Sequence, residues 1–247
     1  MKRVVIVGAT SNIAERCARL WVKESGIDLT LIARDLVKLE SIANDLKVRN
    51  PSSLLKVIRA NFEDPGSIKK SIQHIFKQGH VDSVLIAHGS LPDQSACQSN
   101  VRLNADTLYI NGISPVLFAE IFTTEMLRCG HGNIGIISSV ASDRGRMSNY
   151  SYGSAKSMIS VYVEGLQHRV AGTKVKITLI KPGPTRTRMT EHLRDLKPKL
   201  ANPKLVAKDI VAAMDKGVKV VYIPKKWKVI MLIIRLLPDF IFNRINI

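Results

Sequence analysis

Residues 4–7 form an unbroken β-branched apolar run that stops at Gly8, and a helical pattern starts within five residues of it. A strand with no polar alternation is covered on both faces, as in a parallel sheet. Between residues 12 and 23, Ile13, Cys17, Leu20 and Trp21 recur at helical spacing. The unit then repeats: strands over 29–33, 54–59 and 83–87 alternate with helices over 36–48 and 66–77. Parallel neighbours need a crossover between them, so repeated strand–helix units predict an α/β, doubly wound (Rossmann) parallel sheet.

Further on, the pattern predicts a long helix over 107–128, a strand over 132–138, a helix over 152–170, a strand over 175–181, a helix over 207–217 and an edge strand over 218–223. No linker or internal repeat divides the 247 residues, a length that one α/β sheet accommodates. We expect one catalytic domain over 1–224 and a basic, apolar helical tail over 225–247.

Charge narrows the function classes. The chain carries 37 Lys and Arg against 20 Asp and Glu, and 15 against 5 of these lie from residue 181 onward. Such a balance favours an anionic partner: nucleic acid, a phosphate-bearing substrate or an acidic membrane surface. Nucleic acid is not expected, because no nucleic-acid motif is present and aromatic residues for stacking make up only 5%. Cys17, Cys97 and Cys129 show neither a disulfide framework nor metal-ligand spacing, so no metal is expected and a reducing, cytoplasmic compartment fits. The opening apolar run is too short for a signal peptide.

The turn after the first strand reads Gly8-Ala9-Thr10-Ser11-Asn12-Ile13-Ala14. A turn opening a helix offers free N–H groups and the positive end of the helix dipole to a dinucleotide pyrophosphate. Its spacing resembles the glycine motif of the short-chain dehydrogenases, with Gly8 kept and Asn12 and Ala14 replacing the other two glycines. Asn12 is therefore expected to tolerate an unusual backbone geometry. At the end of the second strand, where an NAD-preferring site carries a carboxylate, stands Ala33 followed by Arg34. Arg34 can clamp a 2′-phosphate, so NADP(H) is the expected cofactor; its bland alternative is a solvated arginine. The resemblance also places Asn61 near the adenine and Ala87-His88-Gly89 at the family's Asn-Ala-Gly position. His88 departs from that pattern and either lines the nicotinamide pocket or is a satisfied structural histidine.

Tyr152 and Lys156 are four apart, so on a helix they share a face. A cation beside a phenol lowers its pKa from about 10 and makes it a usable general acid or base. Upstream, Ser138-Ser139 ends a strand, and Asn111 lies on the long helix. A Tyr and Lys at this spacing can equally be an ordinary surface pair, but the ordered set resembles the short-chain dehydrogenase/reductase family over about residues 2–190. That resemblance makes Tyr152 the acid/base, Lys156 its partner and the holder of the nicotinamide ribose, Ser139 the substrate-orienting hydroxyl with Ser138 its rival, and Asn111 the anchor of a proton-relay water. Lys181-Pro182-Gly183-Pro184-Thr185 resembles the turn that closes over the nicotinamide, where Thr185 or Thr187 bonds the carboxamide. Gly8, Thr10, Ser11, Asn12 and Ile13 complete the implied cofactor set.

The segments that cover the carbonyl site in this family are basic here: Arg144 and Arg146; Arg186, Arg188, Arg194, Lys197 and Lys199; and Lys225, Lys226 and Lys228. Arginines there suit a phosphate, although each alone can be a solvated charge. In the tail, Arg235 interrupts the apolar run short of a membrane span, and Pro238 breaks it into two short helices. Such a helix lies in an anionic membrane interface, or packs on the protein's own body or on a second subunit of an expected homo-oligomer. Together these features resemble the subgroup of short-chain reductases that act on polyprenyl-phosphate-linked keto-sugars, whose substrate comes from a flavin-dependent oxidase. The expected reaction is reduction of a small-molecule or lipid-linked ketone at the cytoplasmic face of a membrane. Alternatives are a reductase of a soluble or acyl-linked ketone, or a non-catalytic NADP-binding scaffold.

Overall fold

A computed structural model describes residues 1–193 and 200–245 of the chain. Seven strands form a single parallel sheet: β1 (Lys2–Val7), β2 (Ile27–Ala33), β3 (Leu54–Arg59), β4 (Ser83–Ile86), β5 (His131–Ile137), β6 (Lys174–Pro182) and β7 (Val220–Ile223). Their order, β3-β2-β1-β4-β5-β6-β7, reverses direction between β1 and β4 and leaves β7 at an edge. The doubly wound sheet read from the alternating pattern is thus the architecture found.

The helices are α1 (Asn12–Trp21), α2 (Leu36–Arg49), α3 (Pro65–Lys77), α4 (Gln94–Ser99), α5 (Val101–Leu108), α6 (Ser114–Cys129), α7 (Tyr150–Arg169), α8 (Pro203–Lys216), α9 (Lys226–Leu236) and α10 (Asp239–Phe242). They cover both faces of the sheet. Phe62, Phe118 and Phe122 anchor the core on one face, Trp21, Leu39 and Leu46 the core on the other. Where helices begin, local chemistry explains it: Asp64 accepts from Gly66 N and Ser67 N just before Pro65, and Asn202 accepts from Lys204 N just before Pro203. Asn202-Pro203 starts α8 four residues ahead of the helix expected at 207.

One expectation about helices needs correction. The long helix expected over 107–128 begins at Val101 and is interrupted by a π-helical turn, Tyr109–Ile113. Asn111 lies in that turn, and its side-chain amide donates to the Thr107 carbonyl at 2.9 Å. In an unbroken α-helix the Asn111 backbone N–H would use that acceptor, so the side chain competes with the ladder and widens it. The short α4 has too few apolar positions to show a period; Asp93 caps it by accepting from Ser95 N and Ala96 N.

The tail forms the two short helices expected on either side of Pro238, and no helix among the described residues is long and apolar enough to cross a membrane. One stripe of it, Trp227, Ile230, Met231 and Ile234, faces the body, whereas Val229, Leu232, Ile233, Leu236 and Phe240 are exposed.

Candidate active site

The switch point between β1 and β4 opens a cleft of about 720 Å³ at the carboxyl ends of the strands. Its floor is the glycine turn, with Gly8, Thr10, Ser11, Asn12 and Ile13 in the lining. Gly8 has φ +77°, and a Cβ there would sit 2.6 Å from the His88 backbone nitrogen, so only glycine lets this turn approach the end of β4. Ser11 precedes α1 without a side-chain capping bond, which leaves first-turn N–H groups free for an anion.

Asn12 behaves differently from expectation. It is the first residue of α1, where ordinary helical geometry suffices, so replacing a glycine costs no backbone strain. Its side chain instead ties down a distant loop. Asn12 Oδ1 accepts from Arg188 N at 3.2 Å and Arg188 Nε at 3.3 Å, while Arg188 Nη2 donates to the Thr10 carbonyl at 3.0 Å. Arg188, expected at the substrate mouth, is a clasp between the segment after β6 and the glycine turn. No sequence signal links residues 176 positions apart, so this clasp is not legible in the sequence.

Arg34 lines the cleft beyond β2, half exposed, with Glu63 Oε1 3.6 Å away. Asn61 does not line the cleft: its Oδ1 accepts from Glu63 N at 3.0 Å in a local turn, and Phe62 takes the place on the wall. Ala87, His88 and Gly89 all line it. The His88 ring is wedged between Phe62 and Phe118, with centroids 4.6 and 5.5 Å away, and Nε2 lies 3.0 Å from Ser114 Oγ. Burial, with the charges of Lys156 and Arg34, holds its pKa well below the ordinary value, so it is neutral at physiological pH.

On the opposite wall stand Ser139, Tyr152 and Lys156. The two serines at the end of β5 separate clearly. Ser138 Oγ donates to the Lys156 carbonyl at 2.9 Å and lies 3.1 Å from Ser160 Oγ, so it fastens β5 to α7. Ser139 Oγ instead accepts from Ala141 N at 3.1 Å and lines the cleft beside Tyr152, where it acts to lower the phenol's pKa. Asn111 sits behind this wall, fully buried, its Oδ1 accepting from Ser90 N at 2.9 Å. Gly89 is required between them, since a Cβ there would meet Asn111 Oδ1 at 2.6 Å and Lys156 Nζ at 3.4 Å.

The electrostatics correct one expectation. Lys156 Nζ lies 5.6 Å from the centre of the Tyr152 ring and donates to the Ile137 carbonyl at 3.2 Å. It does not pull the phenol down. Burial pushes Tyr152 up to about 12, opposed by the neighbouring Ser139 hydroxyl, and burial alone pushes Lys156 down to about 7. Removing either charge from water costs more than the pair returns at this separation. Tyr152 is therefore a protonated phenol through the whole physiological range.

At the far side, Pro182, Gly183, Thr185 and Thr187 line the cleft. Thr185 Oγ1 donates to the Gly183 carbonyl at 2.9 Å, and Thr187 Oγ1 lies 3.3 Å from Thr190 Oγ1. Gly183 is where the tail reaches the site: a Cβ there would strike the Trp227 indole nitrogen at 2.0 Å. The loop after Ser139 is pinned by Asp143, whose oxygens take Lys181 Nζ at 2.6 Å and Tyr222 Oη at 2.8 Å. Arg144, expected at the substrate mouth, belongs to the tail: it donates to the Ile234 and Leu237 carbonyls at 2.6 Å each, pairs with Asp239 at 2.8 Å and stacks on Phe242. Arg186, Lys225, Lys226 and Lys228 are exposed and off the cleft, and Arg194, Lys197 and Lys199 lie outside the described residues.

The short chain dehydrogenase family model matches residues 2–198. The chain belongs to this family. An uncharacterized oxidoreductase of Mycobacterium tuberculosis is 28% identical to this short-chain dehydrogenase over 98% of the chain and 96% of that protein. Among solved structures, levodione reductase superposes with a TM-score of 0.80 at 19% identity, covering 90% of this chain and 95% of that one. A short-chain dehydrogenase of Sphingobium yanoikuyae in complex with NADPH gives 0.81 at 17% identity, covering 97% of each chain. This protein is thus an oxidoreductase of single-domain Rossmann-like fold.

Proposed function

We propose that this enzyme reduces a ketone to a secondary alcohol at the expense of NADPH. One observation carries the reading: a phenol kept protonated by burial, beside Ser139 in a cleft that also offers Arg34 where an NAD site has a carboxylate. The cleft fits the cofactor, because the glycine turn, the uncapped start of α1 and Arg34 together match a pyrophosphate and a 2′-phosphate. NADPH held there supplies the hydride that the carbonyl carbon accepts. Ser139 orients the carbonyl oxygen, and Tyr152 donates its proton to that oxygen. Lys156, fixed by the Ile137 carbonyl, would hold the ribose and stands beside the phenol, where its ammonium stabilises the phenolate left when the proton goes to the substrate oxygen. Asn111, through Ser90 and the π turn, keeps Gly89 and Lys156 in register.

The finer reading is a polyprenyl-phosphate-linked keto-sugar as substrate, delivered by a flavin-dependent oxidase, with the enzyme working as a homo-oligomer at an anionic membrane surface. The tail supports it. Its inner stripe packs Trp227 against Gly183 of the cleft lining, while its outer face presents Leu232, Ile233, Leu236 and Phe240 among Lys228, Arg235 and Arg244. An apolar face edged with cations suits the headgroup boundary of an anionic bilayer.

NADPH oxidation against a panel of lipid-linked and soluble ketones tests the reaction. Turnover of a ketone with NADPH supports it, and cofactor binding without turnover of any panel member points to the scaffold alternative. For the membrane, the full chain should co-sediment with anionic vesicles at low salt, and Leu232→Glu with Leu236→Glu should release it while the inner stripe keeps the cleft intact. A full chain that ignores the vesicles sinks the membrane reading.

A further inference from the structure

Four arginines surround the cleft or its approaches, and two have their hydrogen bonds made within the chain. Arg188 is spent on Asn12 and Thr10 and Arg144 on the tail carbonyls and Asp239, while Arg34, 3.6 Å from Glu63, is the one assigned above to the 2′-phosphate. Arg146 differs. It lines the cleft, yet its Nε is buried with no hydrogen-bond partner, and among the described residues its guanidinium has no carboxylate. One terminal nitrogen rests on the Met231 sulfur at 3.2 Å, a weak acceptor that offers little to a cation. The carboxylate whose field it feels, Asp143, already has both oxygens engaged by Lys181 and Tyr222. Burial accordingly lowers the Arg146 pKa from its ordinary value, the mark of a cation short of a counterion.

A second unmet group lies on the same turn. The Asn149 backbone N–H donates to the Arg146 carbonyl at 3.1 Å, and the Asn149 side chain, which also lines the cleft, leaves Oδ1 buried without a donor. Buried polar groups are almost always paired, so two orphans on one turn, both on residues that line the cleft, point to a contact that a ligand completes. Their chemistry is complementary: a guanidinium fork for an oxyanion, and an amide oxygen for a hydroxyl. The turn is held rigidly for this, from one side by the Asp143–Lys181–Tyr222 cluster and from the other by Arg144 and Met231 against α9.

We propose that Arg146 and Asn149 form the subsite for a phosphoryl group carried by a hydroxylated ketone, Arg146 taking the phosphate oxygens and Asn149 a neighbouring hydroxyl. This rests on the reductase reading above and adds to it the side chains that select the substrate. The tail is then a specificity element, because Met231 of α9 sets where the guanidinium points.

Two measurements on the NADPH-saturated full chain test it, saturation keeping the cofactor's own phosphate sites filled. Inorganic phosphate titrated calorimetrically should bind the wild type and bind Arg146→Met at least about tenfold more weakly, as expected for loss of a charge-assisted pair. In steady-state assays, kcat/KM for dihydroxyacetone phosphate should exceed that for dihydroxyacetone by about tenfold or more, and Arg146→Met should bring the ratio to near one. Arg146→Lys, which keeps a cation at similar reach, should retain part of the preference and serves if the Met variant folds poorly. Equal phosphate affinity in wild type and Arg146→Met, or an unchanged substrate ratio, overturns the subsite. Absence of turnover with both ketones, while phosphate binding still depends on Arg146, counts against the reductase reading and leaves the subsite standing.

Discussion

The two halves of the cleft are built on opposite plans. On the cofactor side Asn12 is paired with Arg188 and Asn111 with Ser90 and Thr107, while Arg34, 3.6 Å from Glu63, and His88, whose buried Nδ1 has no partner, stand apart. What that side offers a ligand is mostly backbone, at the Gly8 turn and the start of α1. On the substrate side, the Arg146 and Asn149 side chains are left incomplete, on a turn braced by β7 and the tail. A dinucleotide is long and can be recognised by a preformed backbone cradle, whereas discrimination among ketones needs side chains whose bonds are made only by the right partner.

The comparison is broken most severely by Tyr152→Phe. Turnover should fall about 10²–10⁴-fold while the NADPH dissociation constant stays within about twofold, since the phenol is a proton donor and not a cradle group. Because its pKa is pushed up to about 12, the wild-type reduction rate should show no loss from phenol ionisation between pH 6 and about 9. A fall through pH 8 that persists in Lys156→Met would place the donor elsewhere, since Lys156 itself loses its proton near pH 7. Next in size is Arg34→Ala, which should weaken NADPH by about tenfold and NADH far less, measured by fluorescence titration. Equal losses would show that Arg34 does not read the 2′-phosphate.

A smaller effect concerns stability. Lys156 is lowered to about 7 in the fold from 10.5, so between those values the unfolded chain binds more protons and stability rises with pH across that window. Lys156→Met should flatten that slope in denaturant titrations at pH 7 and 9.5. The smallest expected change is Asn12→Gly, which should shift NADPH affinity by less than about threefold, because Asn12 occupies a helical position that needs no glycine. A large gain in affinity would mean that the turn carries strain after all.

Most of the fold is legible in the sequence because parallel strands buried on both faces announce themselves as apolar runs; β2, with all seven residues buried, is the plainest case. The Tyr152–Lys156 pair is legible because a four-residue spacing survives translation into a helix face. The sign of the Tyr152 shift is not, since spacing says nothing of how much water the fold removes. Nor is the division of labour among the arginines: Arg144 and Arg146 stand two apart in sequence, yet one clamps the tail and the other faces the cleft. The π turn escapes a reading by period, which averages over the one residue, Asn111, whose side chain displaces a backbone bond.

The tail's contacts have a consequence for how preparations of this enzyme should be counted. The substrate wall closes across 85 to 95 residues of chain, from Arg144 and Arg146 to Met231 and Asp239. Contacts at such separation bear a larger loop-closure cost than the local units of the sheet and are among the last to form. On the reading proposed above, a molecule whose tail has come away keeps its glycine turn and dinucleotide site but loses the contacts that hold Arg144 and Arg146. Cofactor-binding stoichiometry would then overstate the number of competent molecules, and an active-site titration with a ketone would count them.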